Sequence, residues 1–443
     1  MSLTELGLIE AAAKIRDGEI RSEELVTACL DHIDGIEGQV KAWVFLDRDY
    51  ALAQAKAADE QWARQESLGP LHGVPVGIKD IIDVDGLPSG RGTPLSAENM
   101  PKRDAALVSL LRQAGAVIMG KTVTTELAVY HPGKTRNPHN VDHTPGGSSM
   151  GSAASVASFM VPGAVGTQTN GSVIRPASYC GIVGFKPSHG LIPRPGVLDL
   201  SRTLDTMGAM GRSVDDAAIL TECMIGWDDE DPDTRIRARP RLLDAAREEP
   251  PVAPDFVFMK TAAWEKVEDE CRDAFAELAD FLGDRCDADE LPDFFAAAWD
   301  YHRTIMCADM ARGLADYYEN GRDQLSSVIV GMIEEGQKSL ATDYLKAHEW
   351  RQTMIQGMDS VFEEYDAILT PAATGTAPRG LDATGDPVCS TLWTYLGLPC
   401  ITLPLMQGEN GLPIGVQLVG APGRDGRLLR TANWLARQVA QQG

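Results

Sequence analysis

The sequence predicts an α/β fold built as one large domain. Three observations carry that expectation. A βαβ-like unit is legible over residues 74–121, strand-like runs return over residues 366–420, and a mostly helical, strongly acidic stretch lies between them. The chain has 443 residues. At roughly 150 residues per domain that length would allow two or three units. No internal repeat or low-complexity linker divides it, so one large α/β domain, residues 1–443, with a helical section is the better reading.

In chain order, residues 1–65 have helical periodicity. Ser22 is placed as an N-cap, followed by Leu25, Val26, Cys29 and Ile33 at helical spacing. The run Val74-Pro75-Val76-Gly77-Ile78-Lys79-Asp80-Ile81-Ile82 reads as a strand buried on both faces, with one lysine embedded in it. Ala105–Ala114 reads as a helix and Ala116–Lys121 as the next strand. Residues 131–212 are rich in Gly, Ser, Thr and Pro and poor in acidic side chains. Residues 215–365 read as mostly helical, with Trp299, Tyr301, Met306, Met310, Tyr317 and Met332 among the larger side chains. Strand-like runs recur at 367–371, 399–404 and 414–419, and a terminal helix is expected over about 425–440.

The composition is that of a globular protein, with 44% hydrophobic and 23% charged residues. Forty basic against 64 acidic side chains give a net charge of −24. Such a surface repels phosphate backbones and anionic membranes, so neither nucleic acid nor membrane is an expected partner. The eight cysteines are scattered without a Cys-x-x-Cys pair, which suits reduced thiols in a cytoplasmic protein. The N-terminus shows no secretory signal, and no apolar run reaches about 18 residues.

Three segments concentrate chemistry. Pro145-Gly146-Gly147-Ser148-Ser149-Met150-Gly151 flanks paired serines with glycines, which permits tight backbone geometry around the hydroxyls. An ordinary surface loop is the plain alternative. Gly166-Thr167-Gln168-Thr169-Asn170-Gly171-Ser172 is a small-polar turn whose consecutive N–H groups could receive a developing oxyanion. Lys79 is a lone cation in an apolar strand. Burial would lower its pKa and make it a base, unless it pairs with Asp80 or Asp83.

Taken together, these segments resemble the amidase signature family of Ser–Ser–Lys hydrolases. The likeness runs through Leu71–Asp80, Gly120-Lys121-Thr122, Pro145–Ser149, Gly171-Ser172, Gly181–Pro187, Leu204–Gly208 and Leu412–Gln417. It is weakest over about 230–365, the section expected to shape the substrate pocket. The resemblance implies a mixed β-sheet core sandwiched by helices. It makes Ser172 the nucleophile, Ser148 the bridging serine after a cis Gly147–Ser148 peptide, and Lys79 the base. The N–H groups around Thr169, Asn170, Gly171 and Ser172 would form the oxyanion hole. No metal or other cofactor is implied.

Two departures from the family pattern stand out. Gln168 replaces an aspartate and Asn170 a glycine in the string before the nucleophile. Asparagine tolerates the left-handed backbone better than most residues, so the turn is expected to survive. The arginine follows Ser172 by three residues rather than two. In this, and in Thr384-Gly385-Asp386-Pro387 and Leu392-Trp393-Thr394, the chain is similar to the malonamidase-like branch, where this arginine holds a substrate carboxylate. Arg175 could instead pair with a protein carboxylate and fix the loop.

The expected activity is therefore cleavage of a small-molecule amide C–N bond through an acyl-serine. A carbamate or aryl-amide hydrolase is the runner-up, and the amidase component of a glutamine-dependent tRNA amidotransferase is a further alternative. A homodimer is a candidate assembly. The pocket walls are expected near residues 124–131, Asn170, Arg175 and Trp299–Met332.

Competing motifs are weaker. Gly147-Ser148-Ser149-Met150-Gly151 fits Gly-x-Ser-x-Gly, but Pro145 and Gly146 stand where a nucleophile elbow needs a strand. His189, His302 and His348 carry no local signature as its partner. His139 and His143 have zinc-like spacing, but the prolines around them argue for a loop, not a helix.

Overall fold

A computed structural model describes residues 2–441. Eleven strands form one sheet: β1 (Trp43–Leu46), β2 (Pro75–Lys79), β3 (Val117–Thr122), β4 (Gly163–Gln168), β5 (Val183–Lys186), β6 (Thr206–Gly211), β7 (Phe256–Lys260), β8 (Cys286–Glu290), β9 (Ala367–Pro371), β10 (Cys400–Gln407) and β11 (Pro413–Val419). Their order is β1-β3-β2-β4-β6-β5-β10-β11-β9-β7-β8. The sheet is mixed. β3, β2 and β4 run parallel, β7 runs parallel to both β8 and β9, and every other neighbouring pair is antiparallel. Helices flank it; one large apolar core runs from Leu6 to Leu435, with a small second cluster of Tyr179, Ala373, Ala377 and Leu412.

Strands β2, β3, β4 and β6 are buried at every residue, as a sheet covered on both faces requires. The expected strand over 74–82 stops at Lys79. There the chain turns, Ile82 N–H donating to Lys79 O at 3.0 Å. The helix expected at Ala105–Ala114 spans Ala106–Gln113, and the terminal helix spans Asp425–Ala440.

Other expectations need correction. Ser22 is not the cap of its helix but its first residue in Ser22–Val40. The carboxylate of Asp59, from the helix Arg48–Ala63, accepts from Ser22 N and Glu23 N at 2.7 and 3.0 Å. That frees Ser22 Oγ to donate to Gly73 O at 2.7 Å. Residues 1–65 also contain β1, and the acidic section contains β7 and β8. β8, the sequence Cys-Asp-Ala-Asp-Glu, is largely exposed and becomes a strand by adding in parallel to β7, so it has no apolar alternation to betray it.

This topology sets the site. β2 and β4 are parallel neighbours with Ile78 opposite Val165, so their carboxyl ends, at Lys79 and Gln168, emerge at the same edge of the sheet, and β6 starts beside Gln168. Loops leaving such strand ends are where open α/β sheets bind ligands.

Candidate active site

Lys79 ends β2 with its side chain fully buried. Its Nζ lies 2.8 Å from Ser148 Oγ, 2.7 Å from Thr167 Oγ1 and 3.4 Å from Thr167 O. The carboxylates that could have neutralised it are engaged elsewhere. Asp80 faces Lys121 Nζ at 3.1 Å, and Asp83 faces Arg91 at 3.4 Å. Burial holds the Lys79 amine well below the ordinary lysine pKa, and the charge of Asp205 only partly opposes it.

Ser148 belongs to a loop, Pro145–Ser149, leading into the helix Met150–Ala157. The Gly147–Ser148 peptide is cis. The loop presses on β4, where a Cβ at Gly166 would lie 2.7 Å from Ser149 Oγ, so only glycine fits. Ser149 Oγ donates to Thr167 O and accepts from Thr167 N, each at 3.2 Å. Ser149 N–H donates to Ser172 O at 3.3 Å, which ties this loop to the second serine segment.

Residues 169–172 form the turn between β4 and the short helix Ile174–Tyr179. Gln168 shapes it. Its Oε1 accepts from Val173 N at 2.8 Å and Ile174 N at 3.0 Å, while its Nε2 donates to Thr394 Oγ1 at 2.9 Å. A carboxylate could accept those two N–H groups but could not donate to Thr394; the amide does both. Thr169 Oγ1 donates to Asp205 Oδ1 at 2.5 Å, and Asp205 Oδ2 accepts from Leu200 N and Ser201 N at 3.0 Å each. Burial pushes the Asp205 carboxyl up to about 6, although those donors favour its charged form.

Asn170 is not in the left-handed region, so its tolerance of that conformation is not what preserves the turn. Its side chain is a cross-link. Oδ1 accepts from Thr391 Oγ1 at 2.7 Å, and Nδ2 donates to Tyr130 OH at 3.0 Å. Among the described residues, the N–H groups of Thr169, Asn170, Gly171 and Ser172 donate to no protein acceptor. Four such donors in a row are a fitting receptor for an anionic oxygen.

Arg175 is also buried. Its Nη2 donates to Gly147 O at 2.7 Å and Thr384 Oγ1 at 3.2 Å, while Nε and Nη1 have no partner. Among the described residues it makes no ion pair, so the loop-fixing carboxylate weighed from the sequence is not present.

The expected wall segments do meet. Tyr130 OH lies 4.0 Å from Met306 Sδ, and the Glu126 carboxylate accepts from Ser326 N at 3.2 Å. Leu127 and Ala128 sit there at φ 46° and 59°, a conformation that side chains with a Cβ rarely adopt. Sequence reasoning missed His302, whose Nε2 meets Thr169 O at 2.9 Å, and the roles of Thr391 and Thr394. His139 and His143 are spent on carbonyls instead, those of Cys180 and Ala377.

A family model described as Amidase matches residues 24–429. The chain belongs to the amidase family. Relatives of this amidase include a glutamyl-tRNA(Gln) amidotransferase subunit from Natranaerobius thermophilus, 30% identical over 99% of this chain and 96% of the relative. The corresponding subunit from Anaeromyxobacter sp. is 33% identical, covering 99% and 97%. Among solved structures, native peptide amidase from Stenotrophomonas maltophilia superposes with a TM-score of 0.85 at 27% identity, covering 98% of this amidase and 97% of that chain. A vestigial protein complex that reveals the origins of an s-triazine catabolic enzyme gives 0.90 at 26%, covering 98% of both chains. The amidase is thus a C–N hydrolase with a mixed sheet flanked by helices. No helix among its described residues is long and apolar enough to cross a membrane.

Proposed function

We propose that this amidase hydrolyses a small amide bearing a second, anionic group, through an acyl-Ser172 intermediate. The observation that carries the reading is Lys79 Nζ, 2.8 Å from Ser148 Oγ, buried and without a carboxylate partner. A neutral amine in that position is a base. Ser172 Oγ attacks the amide carbon as its proton passes to Ser148 Oγ, and Ser148 hands its own proton to Lys79. The turn 169–172 receives the oxyanion. When the C–N bond breaks, the proton returns through Ser148 to the departing nitrogen, which leaves poorly unless protonated. Water then repeats the sequence on the ester and releases Ser172.

The unpartnered Nε and Nη1 of Arg175 support an anionic group on the substrate. A buried guanidinium without a carboxylate is costly, and a ligand carboxylate would offset that cost. Carbamates and aryl amides are accessible to the same machinery where the pocket admits them. The relatives at 30–33% identity favour a second reading, a glutamine-hydrolysing component that works within an assembly.

The test is ammonia or amine release, with chelator present, from malonamate, a neutral short amide, an anilide, an aryl carbamate and glutamine. Ser172→Ala should abolish every signal. Arg175→Leu should raise KM at least about 10-fold for malonamate while sparing the neutral amide. Equal losses on both would remove the anionic-substrate assignment. Glutamine turnover alone would favour the assembly reading.

A further inference from the structure

We propose that His302 and Thr394 aim the oxyanion hole, each by holding outward the carbonyl of a peptide whose N–H must face the substrate. The inference rests on the reading of residues 169–172 as that hole. In a trans peptide the C=O of one residue and the N–H of the next point in opposite directions. Thr169 O accepts from His302 Nε2 at 2.9 Å, so the N–H of Asn170 faces the other way. Asn170 O accepts from Thr394 Oγ1 at 2.5 Å, so the N–H of Gly171 does too. These N–H groups are among those without a protein acceptor. Two clamped carbonyls therefore account for two free donors.

The clamps come from outside the segments that carry Lys79, Ser148 and Ser172. His302 lies on the helix Ala298–Gly313, in the section that resembles the family least, and Thr394 lies on the helix Val388–Leu396. Both side chains are buried, and burial lowers the His302 pKa to about 4. The ring is thus neutral near pH 7, with its proton on the nitrogen that meets the carbonyl. Side-chain bonds from Asp205 to Thr169, and from Tyr130 and Thr391 to Asn170, brace the same two residues. Releasing one carbonyl frees that peptide plane to rotate, which carries its N–H away from the oxyanion. Neither His302 nor Thr394 touches the reacting atoms. They are positioning residues.

The experiment pairs donor-deleting with donor-keeping substitutions on the full chain: His302→Phe against His302→Gln, and Thr394→Val against Thr394→Ser. Expected is a fall in kcat of about 10- to 100-fold for the Phe and Val variants, with KM within about 2-fold, and recovery to within about 3-fold for Gln and Ser. A boronic acid that forms a tetrahedral adduct on Ser172 should lose affinity in step with kcat/KM, because it too needs the hole. Retained kcat in soluble Phe and Val variants would overturn the proposal, as would kcat and KM moving together whether or not the donor is kept. If His302→Phe does not fold, the Thr394 pair decides. An active Ser172→Ala would sink the underlying reading instead, and is run alongside for that reason.

Discussion

At Lys79 the chain keeps a primary amine out of water with two hydroxyls and a carbonyl as its contacts. Unfolded, that amine carries a proton up to about pH 10.4; folded, it sheds the proton well below that. Between the two values the unfolded state binds more protons, so this residue's contribution to stability rises with pH and is lost as pH falls toward the folded value. Lys79→Met should therefore abolish turnover and still raise the melting temperature near pH 7 by about 1–3 °C. Differential scanning calorimetry at pH 7 checks the sign; a fall would mean that the amine's bonds to Ser148 and Thr167 outweigh the cost of burying it. In the wild type, kcat/KM should climb with pH to a plateau reached well before pH 10. Gln168→Leu tests a different kind of residue. It leaves Val173 N–H and Ile174 N–H without an acceptor, at about 1–3 kcal/mol each. Urea unfolding should show that loss, and kcat should drop at least about 10-fold. At this scale the sequence was informative where the pattern is local: Lys79, which the structure brings to 2.8 Å from Ser148, stands out as a lone cation in an apolar strand, and Ser148 and Ser172 sit within strings whose small residues imply tight turns. His302 gave no such sign, because its partner Thr169 is 133 residues away.

Among the elements, the segment carrying Glu126, Leu127 and Ala128 stores backbone strain beside the site. Left-handed φ costs a residue with a Cβ about 1–2 kcal/mol. Here the conformation is held by Leu127 N–H on Arg91 O at 2.8 Å and by Glu126 on Ser326 N. Ala128→Gly should relieve it and stabilise the protein by up to about 1 kcal/mol in urea titration, less the entropy a glycine adds to the unfolded chain. Destabilisation would mean that the glycine's added entropy and the lost packing of the buried Ala128 methyl outweigh the relieved strain. The uneven legibility of elements has a physical cause. Buried strands such as β2 and β3 carry continuous apolar runs, so pattern alone finds them. β1 and β8 are edge strands with partly or largely exposed residues, created by pairing with a neighbour that no local pattern encodes.

For the whole molecule, the net charge of −24 bears on the two functional readings. Binding to RNA draws on cations that release counterions, and here acidic groups outnumber basic ones by 64 to 40. The isolated chain should show no saturable retention of tRNA in filter binding at about 150 mM salt. Retention would move the assignment toward the amidotransferase relatives. The architecture also bears on biosynthesis. Lys79, Ser148 and Ser172 are all made before the residues that frame them. Asp205, His302, Thr391 and Thr394, which brace the turn beside Ser172, come later, and β6 must insert between β4 and β5. A nascent or prematurely terminated chain thus carries the three residues proposed for the proton relay without the frame that braces them, and on the proposed mechanism hydrolytic competence waits until Thr394 has been made and placed.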